Sequence, residues 1–155
     1  MGNVNKGFTL IELLVVISII GLLSAIIMGG LNSGRLKSYD AKIKTNLVNV
    51  RNAVQLYQDS NPNNNFGPGP ATNCTTNLFN DAIVRPLVDS NNYPPNAAPT
   101  CIAVGTPATS WAVQARLPGL SQQAGGDRYL CISNITVTPQ VNVSNNIGPG
   151  DANCN

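Results

Sequence analysis

The 155 residues predict an α+β fold: one long N-terminal α-helix, apolar in its first half and amphipathic in its second, packed on a small antiparallel β-sheet within a disulfide-stapled C-terminal region. Three observations carry that prediction. Residues 8–31 form a 24-residue, mostly apolar run interrupted by a single carboxylate, Glu12. Residues 35–58 repeat apolar side chains at spacings of three and four. Beyond residue 60, turns rich in Asn, Pro and Gly separate short alternating stretches, and all four cysteines lie there. The chain therefore divides into a short lead-in (1–7), an apolar helix (8–31), an amphipathic helix (32–59) and a loop-rich globular β domain (60–155).

As a helix, residues 8–31 span about 36 Å at about 1.5 Å per residue, long enough to cross a bilayer. A secretory signal is shorter and carries its small cleavage residue after the apolar core, whereas here Gly7 precedes it. An ordinary single-span anchor without processing remains the alternative. An ionised carboxylate inside such a run is costly, so Glu12 needs a reason to be there, with a snorkelling or protonated side chain that has no partner as the plain alternative. Gly21, Ser24 and Ala25 make a small-residue patch that permits close helix approach. Gly29, Gly30 and Gly34, with Asn32 and Ser33 among them, are poor helix formers, and a kink or locally melted stretch is expected there in an assembled state.

From Arg35 to Gln58, the apolar positions Leu36, Tyr39, Ile43, Leu47, Val50, Val54 and Tyr57 define one stripe of an amphipathic helix. Asp59-Ser60-Asn61-Pro62 ends the helix, since Pro62 pushes its predecessor out of the helical region. Residues 61–70 read as turn and loop. Residues 78–88 suggest a short helix interrupted near Pro86, and residues 93–99 a proline-rich connection. The clearest strand places Trp111, Val113, Ala115 and Leu117 on one face and Ala112, Gln114 and Arg116 on the other. Pro118-Gly119 and Gly125-Gly126 flank a loop, Tyr129–Ser133 reads as the return strand, and Ile135–Val143 as a third that Pro139 confines to an edge or a break.

An even cysteine count in an exported domain favours two disulfides among Cys74, Cys101, Cys131 and Cys154, with three connectivities possible. The sequential pairing, Cys74 with Cys101 and Cys131 with Cys154, is preferred because each bond staples a loop-rich stretch. There is no CxxC pair and no His, so the cysteines do not read as a zinc site. Net charge is only +2, which argues against strong electrostatic steering toward nucleic acid. With no His and scattered carboxylates, no nucleophile–base constellation supports an enzyme. Arg35, Lys37, Lys42 and Lys44 outnumber Lys6, and the positive-inside tendency alone would place the C-terminal part in the cytoplasm. The four cysteines and the polar, weakly charged composition point outward instead, and the outward reading prevails. The Asn-x-Ser/Thr triplets at Asn73, Asn134 and Asn142 are expected by chance in so Asn-rich a chain.

The stretch from Gly7 and Phe8 through Glu12 into the apolar run resembles the N-terminus of type IV pilins and pseudopilins. The resemblance implies cleavage between Gly7 and Phe8 by a prepilin peptidase and methylation of the new Phe8 amine. Glu12 becomes the fifth residue of the mature chain and meets the Phe8 amine of a neighbouring subunit. It implies a single pass through the inner membrane with the C-terminal domain outside the cytoplasm, then an extracellular or periplasmic filament raised by an inner-membrane assembly platform. The expected function is that of a structural subunit of a type IV pilus-like filament, with no cofactor. The alternatives are a type II secretion pseudopilin and, less directly, a membrane-tethered adhesin or DNA-uptake module. Family members often carry a helix-breaking proline at the position of Gly29, where this chain departs. The helix end QLYQDSNPN resembles that of major pseudopilins, whereas the four cysteines and long loops lean toward a pilus subunit. Major pseudopilins bind calcium through C-terminal acids; here Asp127 and Asp151 alone supply too few oxygens, so no metal is expected. A C-terminal loop closed by a disulfide is common in the family and supports pairing Cys131 with Cys154.

Overall fold

The computed structural model describes residues 7–136, 138–142, 147, 152 and 154. Its first element, α1 (Leu10–Ser60), is a single 51-residue helix. The chain divides into two compact units, Met1–Arg35 and Leu36–Asn155. Helical backbone runs through Gly29, Gly30 and Gly34 in this isolated chain. At the far end the helix stops at Ser60, just before Asn61-Pro62, and Asn61 N–H donates back to the Gln58 carbonyl at 3.1 Å.

After the 61–70 loop the second unit holds short elements only. A 3-10 turn covers Asn77–Asn80, a one-turn helix, α2, covers Arg85–Val88, and a second 3-10 turn covers Ser90–Asn92. Pro86 starts α2 instead of interrupting a longer helix, because in the first turn its missing N–H costs nothing. Four strands follow: β1 (Thr100–Gly105), β2 (Ala108–Arg116), β3 (Tyr129–Ser133) and β4 (Gln140–Asn142). They form an antiparallel meander in chain order, with Cys101 opposite Val113, Gln114 opposite Cys131, and Leu130 opposite Val141.

Three sequence expectations are corrected here. β1 is a strand in a stretch to which the sequence pattern assigns no element; it is short and does not alternate, since Cys101, Ile102 and Ala103 are all buried. Residues 118–124, expected as loop, form helix α3 (Pro118–Ala124), with Pro in its first turn and Gly125 in the left-handed region as its C-terminal stop. The third strand of the expectation shrinks to β4, which begins directly after Pro139; residues 137 and 143 of that stretch lie outside the described residues.

The core forms where the second half of α1 meets the sheet. Ile43, Leu47, Val50, Ala53 and Val54 pack with Trp111, Val113, Ala115, Leu130 and Ile132, and Phe66, Leu78, Phe79 and Val84 close the rim. Phe66 meets Trp111 edge-on, ring centroids 6.5 Å apart. Alternation along β2 predicts a solvent face at Ala112 and Gln114, yet both are buried. A second, smaller core explains this: Ile147, Ala152 and Cys154 of the C-terminal tail cluster with Ile102, Ala112 and Cys131.

Candidate functional site

The N-terminal end of α1 carries the sequence-singled residues Gly7, Phe8 and Glu12. Residues 7–9 lie outside regular secondary structure and the helix begins at Leu10, so the Gly7–Phe8 bond sits in irregular, exposed chain with Phe8 87% exposed. Glu12 bends back onto that start. Its Oε2 accepts from Thr9 N–H at 2.9 Å and from Thr9 Oγ1 at 2.8 Å, while Glu12 N–H donates to Thr9 Oγ1 at 3.3 Å. This reciprocal arrangement is a capping box, Thr-x-x-Glu, and it satisfies donors the first helical turn would otherwise leave open. A reading of Glu12 for its charge alone passes over it, although a Thr three residues ahead of a Glu before an apolar run is the signal. Among the described residues Glu12 Oε1 has no hydrogen-bond partner, so the cap leaves one carboxylate oxygen available.

From Leu10 to Leu31 the large apolar side chains are exposed throughout; even the least exposed, Val16, is at 47%. Among the described residues α1 is the helix long and apolar enough to cross a membrane, and none of its most apolar window is buried by the chain itself. The polar groups inside the run are met internally: Ser18 Oγ donates to the Leu14 carbonyl and Ser24 Oγ to the Ile20 carbonyl, each at 2.8 Å. Such internal pairing is what a non-aqueous surrounding requires. At Gly21, Gly30 and Gly34 an added Cβ would meet nothing within 4 Å.

The second unit ties its own stretch of α1 to the sheet through an acid. Tyr39, expected on the buried stripe, is 38% exposed, and Asp40 beside it is buried instead. The Asp40 carboxylate accepts from Gly119 N–H at 2.9 Å and Leu120 N–H at 2.8 Å, the open donors at the start of α3. The approach requires glycine: a Cβ at 119 would stand 2.6 Å from Asp40 Oδ2 and 3.0 Å from the Leu36 carbonyl. No sequence periodicity points to this pair, because the partners are 79 and 80 residues apart.

The cysteines pair as Cys74–Cys101, Cα atoms 5.0 Å apart, and Cys131–Cys154, 5.5 Å apart. They close loops of 27 and 23 residues, which the chain-entropy model rates at about 3 to 4 kcal/mol each. The second bond fastens the tail over the outer sheet face. Gln114 lies there opposite Cys131, and neither polar atom of its side chain has a partner among the described residues. On the α2 side, burial pushes the Tyr93 phenol up to about 12, against an opposing hydrogen bond with the Asn46 side chain. Its hydroxyl also donates to the Leu87 carbonyl at 2.7 Å. Among the described residues no group of three or more Cys, His, Asp or Glu is placed to hold a metal; Asp151 lies outside them.

Comparison with known proteins locates these features. Residues 2–28 match the prokaryotic N-terminal methylation motif. The chain is similar to the type II secretion system core protein G of Escherichia coli K12, 35% identical over 57 residues, which are 37% of this chain and 39% of that protein. It thus spans well under half the length of that relative. No solved structure matches the chain. The matched motif heads the long helix α1, with a four-stranded antiparallel sheet and two disulfides behind it, and the likeness to prepilin-type proteins is thus shown over the N-terminal part of the chain.

Proposed function

We propose that the chain is a prepilin, cleaved after Gly7, methylated on the Phe8 amine, and polymerised through residues 8–31 into a pilus-like filament. The single observation that carries this reading is the exposed apolar face of α1 from Leu10 to Leu31 behind an accessible Gly7–Phe8 bond. None of the described residues covers that surface, so lipid covers it first and neighbouring copies afterwards. The Glu12 cap supports the register role. One oxygen holds the subunit's own first turn, and the other remains to accept from the cationic Phe8 amine of a neighbour. Gly29, Gly30 and Gly34 supply the stretch where the helix can bend or melt as subunits tighten. The partners are then further copies of the chain, a prepilin peptidase and methylase, and an inner-membrane assembly platform, with the C-terminal domain outside the cytoplasm. The role is structural, not enzymatic.

A second reading, a type II secretion pseudopilin, is favoured by the similarity to core protein G. Mass analysis of protein sheared from cells tests what the two share. A chain starting at Phe8, one methyl heavier and four hydrogens lighter before reduction, is expected; a chain that keeps its leader and stays in membranes defeats both. Deletion of the gene separates them: loss of surface filaments marks the pilus subunit, and loss of exoprotein release with filaments intact marks the pseudopilin.

A further inference from the structure

We propose that Lys37, Lys42 and Lys44 form a collar that binds anionic phospholipid headgroups, beside the point where the chain leaves the membrane. The inference rests on the reading that residues 8–31 sit in a bilayer before assembly. All three lysines are exposed, and the ion pair among the described residues lies elsewhere, between Arg116 and Asp127. Their charges are not balanced locally. The only acid between residues 13 and 58 is Asp40, which is 6% exposed, with its oxygens occupied by Gly119 N–H and Leu120 N–H. The collar is therefore a cluster of uncompensated cations backed by a rigid helix.

Placement around the helix favours a planar partner. At about 100° per residue Lys37 and Lys44 fall on nearly the same side, about two turns apart, and Lys42 lies about 140° to 160° away. The buried stripe of Asp40, Ile43 and Leu47 runs between the two positions. Cations on both sides of the buried stripe suit a broad anionic surface better than a small ligand that approaches from one side. Chain distance supports the same partner: Lys37, Lys42 and Lys44 follow Leu31 along the same helix by 6, 11 and 13 residues, which at about 1.5 Å per residue are rises of about 9, 17 and 20 Å from the apolar run. Headgroups extend several ångströms beyond the hydrocarbon, and attraction to a charged surface persists over a Debye length of about 8 to 10 Å. Nucleic acid fits less well, since steep phosphate binding rests on about six to ten contacts and the collar offers three. Holding the headgroups would fix the depth of an unassembled subunit, and extraction into a filament would release them.

The test uses the full chain in lipid nanodiscs containing phosphatidylcholine with and without phosphatidylglycerol, with spin-labelled forms of each lipid reporting the immobilised shell. A juxtamembrane lysine contributes up to about fivefold in affinity for anionic lipid. The wild-type chain is expected to prefer phosphatidylglycerol by about threefold or more, decreasing with salt. The triple variant Lys37→Gln, Lys42→Gln, Lys44→Gln should lose that preference, and the corresponding triple Lys→Arg variant should keep it. A chain that enters the discs without preference, or a Gln variant that keeps it, overturns the collar and leaves the membrane reading standing. A chain that does not enter the discs defeats both. If the Gln variant loses salt-dependent binding to duplex DNA while its lipid preference is unchanged, the lysines belong to nucleic acid and the lipid assignment is wrong.

Discussion

The two halves of α1 differ both in how much Leu, Ile and Val they carry, fourteen in residues 10–35 against seven in residues 36–60, and in what becomes of those side chains. In Leu36–Asn155, the helix turns Ile43, Leu47, Val50 and Val54 into a core where each is at most 2% exposed. In Met1–Arg35, Leu13, Ile17, Ile20, Leu23 and Ile27 each stay at least half exposed. The difference is amphipathicity. The later half has one apolar stripe, which a single sheet can cover, whereas the earlier half is apolar all round and needs cover on every side. What the second unit obtains from its own chain, the first is proposed to take from lipid or from other subunits.

The largest expected effect tests that contrast with one chemical change at two places. Leu47→Ala removes a fully buried side chain and should cost about 2 to 5 kcal/mol in the unfolding of the second unit, read from denaturant midpoints. Leu23→Ala, at a residue 52% exposed, should leave that midpoint within about 0.5 kcal/mol. Its effect should appear in filament yield instead. Equal losses from both variants would mean that the first unit contributes to the folding of the second.

Next in size is a pH effect confined to the self-buried unit. The fold prefers the neutral Tyr93 phenol and holds its proton to about pH 12, whereas the unfolded chain releases it near 10. Between those values the native state binds more protons than the unfolded state, so stability falls as pH rises, by up to roughly 2 to 3 kcal/mol, and below pH 10 the contribution is complete. Tyr93→Phe should flatten that stretch of the stability profile while lowering stability at neutral pH through the lost bond to the Leu87 carbonyl. A profile equally steep in the variant would remove Tyr93 as the cause.

Asp40 gives a somewhat smaller change. Asp40→Ala leaves Gly119 N–H and Leu120 N–H without their acceptor and should cost about 1.5 to 3 kcal/mol. The signature is local: amide exchange should accelerate across Pro118–Ala124 before it does in β2.

Sequence made the helical parts legible and the local-to-distant pairings illegible. The run from Gly7 to Leu31 and the stripe from Ile43 to Val54 are periodic over many turns, and such repetition survives any tertiary context. Asp40 breaks that rule because its partner is the start of a seven-residue helix whose Pro118 and Gly125 read equally well as loop punctuation. β1 is hidden for another reason: its consecutive residues Cys101, Ile102 and Ala103 are buried on both faces and show no alternation to detect. Gln114 is expected at the surface because a strand pattern cannot register the tail that Cys131–Cys154 draws across it.

The smallest effect on the isolated chain, and the sharpest probe of the comparison, comes from Glu12. It resembles Asp40 in capping a helix start, but it is exposed and shares only one oxygen with its own chain. Glu12→Gln keeps an acceptor for Thr9 N–H and removes the charge, whereas Glu12→Ala removes both. If the residue serves only its own first turn, the Gln variant should behave nearly as wild type and the Ala variant should fray, with faster amide exchange confined to the first helical turn. If its charge sets the register between subunits, Gln and Ala should lose filament assembly alike while the Gln variant keeps its first turn. The second pattern is expected. A carboxylate that only capped its own helix would have no need of a negative charge within an apolar surface, because the neutral amide satisfies the same backbone donor at lower cost in lipid.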